Sequence, residues 1–215
     1  MQKEQIIESI SKKITLEKEH ILQNVLPRLV PAERISEYRK KEIVSERYMD
    51  LALSFYVPIE LDEPSDSMAS LQVTKQVLKL SGITPEELKE NSICNIEKRK
   101  QIKTMGEMLK EMGYEEAVAD SSQMLVISTE NRHYGAALLL CPNVLREVYC
   151  MLGSFITLPS SIHELICIPD DENVEFDYLT DMVRQINADI VEPSERLSNN
   201  IYIFENDGLS CIEAS

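Results

Sequence analysis

The chain has 215 residues, 43% of them hydrophobic and 27% charged, with a formal net charge of −15 at pH 7. A chain of this length can bury roughly 70% of the surface its unfolded form exposes, and its acidity argues against a nucleic-acid backbone or an anionic membrane as the default partner. No apolar run approaches the ~18 residues of a membrane-spanning helix, and Met1-Gln2-Lys3-Glu4-Gln5 lacks the apolar core of an export signal, so a cytoplasmic location is expected.

Ile6, Ile7, Ile10 and Ile14, then Ile21, Leu22, Val25 and Leu26, recur at three- and four-residue spacing and predict an amphipathic helix or helix pair. Pro27 and Pro31 are expected to end or break it, because proline disfavours the helical conformation of its predecessor. Residues 34–45 read as a second, strongly charged helix. Residues 48–59 alternate apolar positions (Met49, Leu51, Leu53, Phe55, Val57, Ile59) and read as a half-buried strand. Residues 62–67 contain Pro64 and no apolar side chain, which predicts a loop, and residues 69–74 read as the return strand.

Thr84-Pro85-Glu86-Glu87 combines a capping hydroxyl, proline at the first helical position and glutamate at the third, a helix start that satisfies otherwise orphaned amides. Ile102, Met105, Met108, Leu109 and Met112 mark a further helix closed by Gly113. Residues 124–128 are an apolar run, residues 129–133 a polar turn, and residues 135–141 a second apolar run of strand length. A helix over residues 143–152 follows, with Pro142 near its start and Gly153 at its stop. Strands over 155–158 and 162–168 flank the turn Pro159-Ser160-Ser161. Phe176, Leu179, Met182, Val183 and Ile186 lay an apolar stripe on a helix over residues 175–188. Residues 201–204 and 209–212 form a hairpin around Asn206-Asp207-Gly208, where positive φ is tolerated.

Strands that mostly neighbour strands, with helices inserted singly, predict an α+β fold: a largely antiparallel sheet with an N-terminal helical portion. The expected division is a helical portion over residues 1–47 and an α+β domain over residues 48–215, or one continuous domain.

The residues give little chemistry. There is no phosphate-cradling glycine loop, no HExxH, no EF-hand loop and no GxSxG elbow, so no cofactor is expected. The five cysteines are an odd, scattered set without a CxxC pair and read as buried reduced thiols. Ser160, Ser161 and His163, with Glu164 beside them, are the one group that looks catalytic, since a nucleophile needs a base in reach and a third group to orient it. A strand at 162–168 would place His163 and Glu164 on opposite faces, which favours a turn stitched by hydrogen bonds. His133 would meet His163 only through tertiary contact, and His20 reads as solvent-facing.

Acidic residues crowd one region: Asp170, Asp171, Glu172, Glu175, Asp177, Asp181, Asp189, Glu192 and Glu195, opposed there by Arg184. They lack the compact glycine-containing loop of a hard-cation site, and acidic residues also stabilise a helix N-terminus without any metal. No metal is assigned. Asp170, Asp171, Glu172, Glu175, Asp177 and Asp181 are the candidate interaction residues. Cationic residues gather instead at Arg39-Lys40-Lys41 and Lys98-Arg99-Lys100, with Lys103 nearby.

Several blocks resemble an uncharacterised bacterial family catalogued only as a domain of unknown function and found largely in gut Firmicutes. They are Ile21-Leu22-Gln23-Asn24-Val25-Leu26-Pro27-Arg28-Leu29-Val30, Tyr48-Met49-Asp50-Leu51-Ala52-Leu53, Tyr134-Gly135-Ala136-Ala137 and Leu158-Pro159-Ser160-Ser161-Ile162-His163-Glu164. The resemblance spans residue 21 to the C-terminal hairpin. It implies the same fold and location, and it brings no catalytic residue with it.

Three readings stand. One is a non-enzymatic interaction or regulatory module presenting its acidic surface to a protein partner, with a nucleic-acid mimic as a special case. Another is a hydrolase-like enzyme using Ser160, Ser161 and His163. The third is a subunit of a larger assembly docking through Ile6, Ile10 and Ile14. Oligomeric state is left open.

Overall fold

A computed structural model describes residues 15–59, 69–111, 113–114, 123–171 and 174–214. The stripe at Ile6, Ile10 and Ile14 and the loop expected at residues 62–67 lie outside them. The fold is α+β, built on two antiparallel sheets. The first half of the chain gives α1 (Lys18–Asn24), β1 (Leu26–Pro31), α2 (Arg34–Lys40), β2 (Ser45–Tyr48), β3 (Leu51–Ile59), β4 (Ala69–Gln72), α3 (Lys75–Ser81) and α4 (Pro85–Glu97). Then come β5 (Lys100–Thr104), α5 (Met105–Glu111), β6 (Leu125–Thr129), a 3-10 helix (Gly135–Leu140), α6 (Pro142–Leu152), β7 (Phe155–Leu158), β8 (Leu165–Pro169), α7 (Phe176–Asp189), β9 (Ile201–Glu205) and β10 (Gly208–Ile212).

In the smaller sheet β3 is central. β1 pairs along one edge of it, and β2 and β4 follow one another along the other. Residues 51–57 are therefore buried on both faces, where the alternation implied one. The expected single strand over residues 48–59 is two, because Met49 takes φ +53° and turns β2 into β3. α1 stops at Asn24, ahead of Pro27, while Pro27 and Pro31 themselves lie in β1. An edge strand tolerates proline because the missing N–H costs no ladder bond when it faces outward. β1 and β2 both pair with β3, so the expected helical portion contains sheet, and a boundary at residue 47 falls within β2.

The larger sheet has the order β10-β9-β7-β8-β6-β5, every neighbour antiparallel. Ile102 belongs to β5 and not to the helix that follows it. The apolar run at residues 135–141 is a buried 3-10 helix and not a strand. It is enclosed on all sides, so its side chains show no periodicity to read. β7 feeds two cores in alternation. Phe155 faces the main one, shared with the smaller sheet, while Ile156 and Leu158 face a second one formed with Leu179 and Val183 of α7.

Local signals held where they were complete. Thr84 and Glu87 form the reciprocal capping box of α4. In the C-terminal hairpin Asn206 and Asp207 carry the positive φ values, and Gly208 already pairs with Glu205 in β10. The Asn95 side chain on α4 donates to the carbonyls of Leu22 and Val25 at 2.9 and 3.0 Å, closing the C-terminal end of α1. Three thiols depart from the expected burial: Cys94 on α4 and Cys150 on α6 are exposed, and Cys211 on β10 is half-buried.

The turn between β2 and β3 joins the two sheets. Its Asp50 carboxylate accepts hydrogen bonds from Ser198 Oγ (2.5 Å), Asn200 Nδ2 (2.9 Å) and the Tyr202 hydroxyl (2.9 Å), with Cys211 Sγ at 3.6 Å. Burial, then the Asp50 charge, raises the Cys211 thiol to about 12 and pushes the Tyr202 phenol well above its usual range. Asp50→Ala orphans these donors at once. It is expected to cost about 3 kcal/mol, read as a lower urea midpoint with an unchanged slope.

Candidate functional site

The polar turns after β6 and after β7 meet at one place. Tyr134 sits at φ +52°, uncommon for an aromatic residue, and caps the 3-10 helix. Its N–H donates to His163 Nδ1 at 3.2 Å, its ring stacks on the His163 imidazole (5.5 Å, 27°), and its edge meets Tyr56 (5.1 Å, 67°). Ser128 Oγ donates to the His163 carbonyl at 2.8 Å. Gly135 lies against this junction: a Cβ there would fall 2.7 Å from Ser128 Cα and closer still to the His163 carbonyl. Only glycine lets the three backbones approach so closely.

Ser160, Ser161 and His163 come together without forming a nucleophile and base. β8 begins at Leu165, so His163 lies in the turn and not on the expected strand. Ser161 Oγ accepts from the His163 backbone N–H at 3.0 Å, and Ser160 Oγ donates to Glu164 Oε1 at 3.3 Å. The lone pair of His163 Nδ1 is taken by Tyr134 N–H, and Nε2 faces Glu195 Oε1 at 3.8 Å. Among the described residues no serine hydroxyl bonds to this imidazole. His133 does approach it, ring centroids 5.9 Å apart, while His20 is exposed on α1. Among the described residues no group of three or more His, Cys, Asp or Glu side chains is placed to hold a metal ion. No helix among them is long and apolar enough to cross a membrane.

Of the acidic candidates, Asp170 is half-buried at the end of β8, and Asp171, Glu175, Asp177 and Asp181 are exposed on and before α7; Glu172 lies outside the described residues. Asp177, Asp181 and Asp189 follow one i, i+4 row of α7, with Arg184 paired to Asp181 at 3.0 Å. The neighbouring row is apolar. Tyr178 is 66% exposed, Ile186 40% and Ile190 77%, with Met182 half-buried between them. Sequence reading assigned Ile186 to the core stripe and took no account of Tyr178 or Ile190. The i, i+4 spacing of 178, 182, 186 and 190 was the available signal.

Sequence reading also missed Arg28, although one cation inside Leu26-Pro27-Arg28-Leu29-Val30 was a visible anomaly. Its guanidinium donates to Gln72 Oε1 (2.6 Å), the Tyr38 hydroxyl (3.1 Å) and the Tyr134 hydroxyl (3.4 Å). It also lies over the rings of Tyr38 and Tyr134, 5.9 and 5.2 Å from their centroids.

A sequence comparison places these elements. The chain matches DUF5688, a family of unknown function, over residues 1–206. It belongs to that family. The DUF5688 match begins at residue 1, so it takes in the N-terminal segment that the resemblance by blocks left out. No curated protein and no solved structure matches the chain.

Two outcomes test this junction. Gly135→Ala forces backbone against backbone and is expected to destabilise by about 2–3 kcal/mol, measured by urea unfolding. Burial lowers the pKa of His163 below the ordinary 6.5; Glu195 opposes this, His133 adds to it and Glu164 opposes it. The unfolded chain therefore takes up this proton first as pH falls, and the native state loses stability from about 6.5 downward. His163→Gln, which keeps an acceptor for Tyr134 N–H, is expected to flatten the dependence of Tm on pH between about 7.5 and 5.5, roughly one unit either side of the ordinary histidine value.

Proposed function

We propose that this DUF5688 protein is a non-enzymatic interaction module that docks a basic, amphipathic segment of a partner protein on the outer face of α7. The observation that carries this reading is the pair of rows on that helix. Tyr178, Ile186 and Ile190 supply exposed apolar anchors spread over about 18 Å along α7 and its C-terminal cap, and Asp177, Asp181 and Asp189 supply the charge beside them. The opposite face of α7 is already committed to the second core through Leu179 and Val183, with Met182 packed against its edge, which leaves Tyr178, Ile186 and Ile190 as the exposed members of the row.

Aromatic and aliphatic anchors of this kind carry most of an interface's energy, while flanking charges set orientation and speed of encounter. A carboxylate row selects cationic partners, and its contribution weakens with salt. The apolar anchors favour a protein partner over nucleic-acid mimicry, which needs carboxylates alone at phosphate-like spacing. The hydrolase alternative at Ser160, Ser161 and His163 draws no support from the turn geometry, where both hydroxyls are engaged away from the imidazole.

The test is affinity capture on the immobilised full chain, with mass spectrometry of the retained proteins. The expected result is a discrete basic partner held at low salt. It is weakened at least tenfold by Tyr178→Ser with Ile190→Ser, and made less salt-sensitive by Asp177→Asn with Asp181→Asn. A partner retained equally by both double variants, or none at either salt, overturns the reading.

A further inference from the structure

We infer that the cleft between β1 and α2, with Tyr134 at its edge, is a binding site for a small dianion, a phosphate monoester or a dicarboxylate. The cleft encloses about 320 Å³, the lower end of the range for small-molecule sites. It is cationic in a protein of net charge −15. Arg28, Arg34 and Lys41 line it, and Glu37 is the one carboxylate among its lining residues.

Glu37 is fully engaged. Arg34 Nη1 donates to its Oε2 at 3.0 Å and Lys41 Nζ to its Oε1 at 2.7 Å. Both hold its pKa below the usual carboxylate range, the hydrogen bond from Lys41 most of all. These three side chains sum to one positive charge, exposed at the rim.

Arg28 adds a second positive charge from the floor. Among the described residues no carboxylate pairs with it, and its partners are two phenols and an amide. Three of its five N–H groups are thereby used. Among the described residues the buried Nε has no acceptor, and Nη1 makes one bond, to the Tyr134 hydroxyl, of the two its N–H groups allow. A half-buried guanidinium neutralised only by dipoles and ring faces is an unusual arrangement, since buried charges are ordinarily paired.

The remaining polar atoms point to the same sign of ligand. The Tyr38 and Tyr134 hydroxyls accept from Arg28, which leaves each O–H proton to donate. Gln72 is held in place at both ends: its Oε1 accepts from Arg28, and its Nε2 donates one N–H to the Phe55 carbonyl at 2.9 Å. The wall is rich in donors and poor in acceptors, with a net charge of two to match. Arginine in this setting recognises carboxylate and phosphate oxygens. This site is separate from the α7 surface and does not depend on it.

The experiment is isothermal titration calorimetry of the full chain with sodium phosphate and with sodium succinate, against sodium chloride at matched ionic strength. A saturable heat with phosphate, with succinate or with both supports the site, and their ratio tells which source of dianion it prefers. Arg34→Gln with Lys41→Gln, both on the solvent-exposed rim, should weaken that binding at least tenfold. Lys100→Gln, a remote surface change, should leave it unaltered. Arg28→Met should abolish it, with native folding checked by its urea transition. No saturable heat with either dianion, or equal affinity in the rim double variant, overturns the inference.

Discussion

The carboxylate of Asp50 collects donors from residues at least 148 positions further along the chain, and the relation of the two sheets rests on that. It sits on a two-residue turn between β2 and β3 and reaches the segment that leads into β9. A single acceptor with several charge-assisted hydrogen bonds fixes distance and orientation together, which packed hydrocarbon alone does less well. The main core, drawn from both halves of the chain, then closes around Tyr56 and Tyr202, both nearly fully buried.

The second junction is steric. The 3-10 helix can lie inside the core only because Gly135 lets its backbone press against Ser128 and the turn at His163. That contact is where the Tyr134-Gly135-Ala136-Ala137 and Leu158–Glu164 blocks meet, and Arg28 of the Leu-Pro-Arg-Leu block touches Tyr134 from the other sheet. With Asp50 in the remaining block, all four segments that carry the family resemblance supply contacts between distant parts of the fold. Ser160, Ser161, His163 and Glu164 looked catalytic in isolation because such junctions need hydroxyls, imidazoles and carboxylates to satisfy buried backbone groups.

Charge is divided sharply over this surface. The outer face of α7 carries carboxylates beside unburied apolar side chains, while the cleft at Arg28 gathers three cations around one saturated glutamate. Net charge hides this, because it sums over faces that never meet. A cationic partner and a small anion are therefore compatible with one acidic protein, at separate places on it.

The sequence by itself determined the α+β class, the capped start of α4, the amphipathic α7 and the C-terminal hairpin. Each depends on a few neighbouring residues whose periodicity, capping chemistry or turn preference acts locally. It determined less where burial was complete. The run at residues 135–141 carried no period to separate strand from 3-10 helix, and the prolines of β1 read as breaks because their edge position is set by β3. Only the tertiary structure decided that His133 meets His163, that Asp50 ties the sheets, and that Arg28, Arg34 and Lys41 share a cleft. Those contacts link residues far apart in the chain, and their geometry exists only once the sheets have packed.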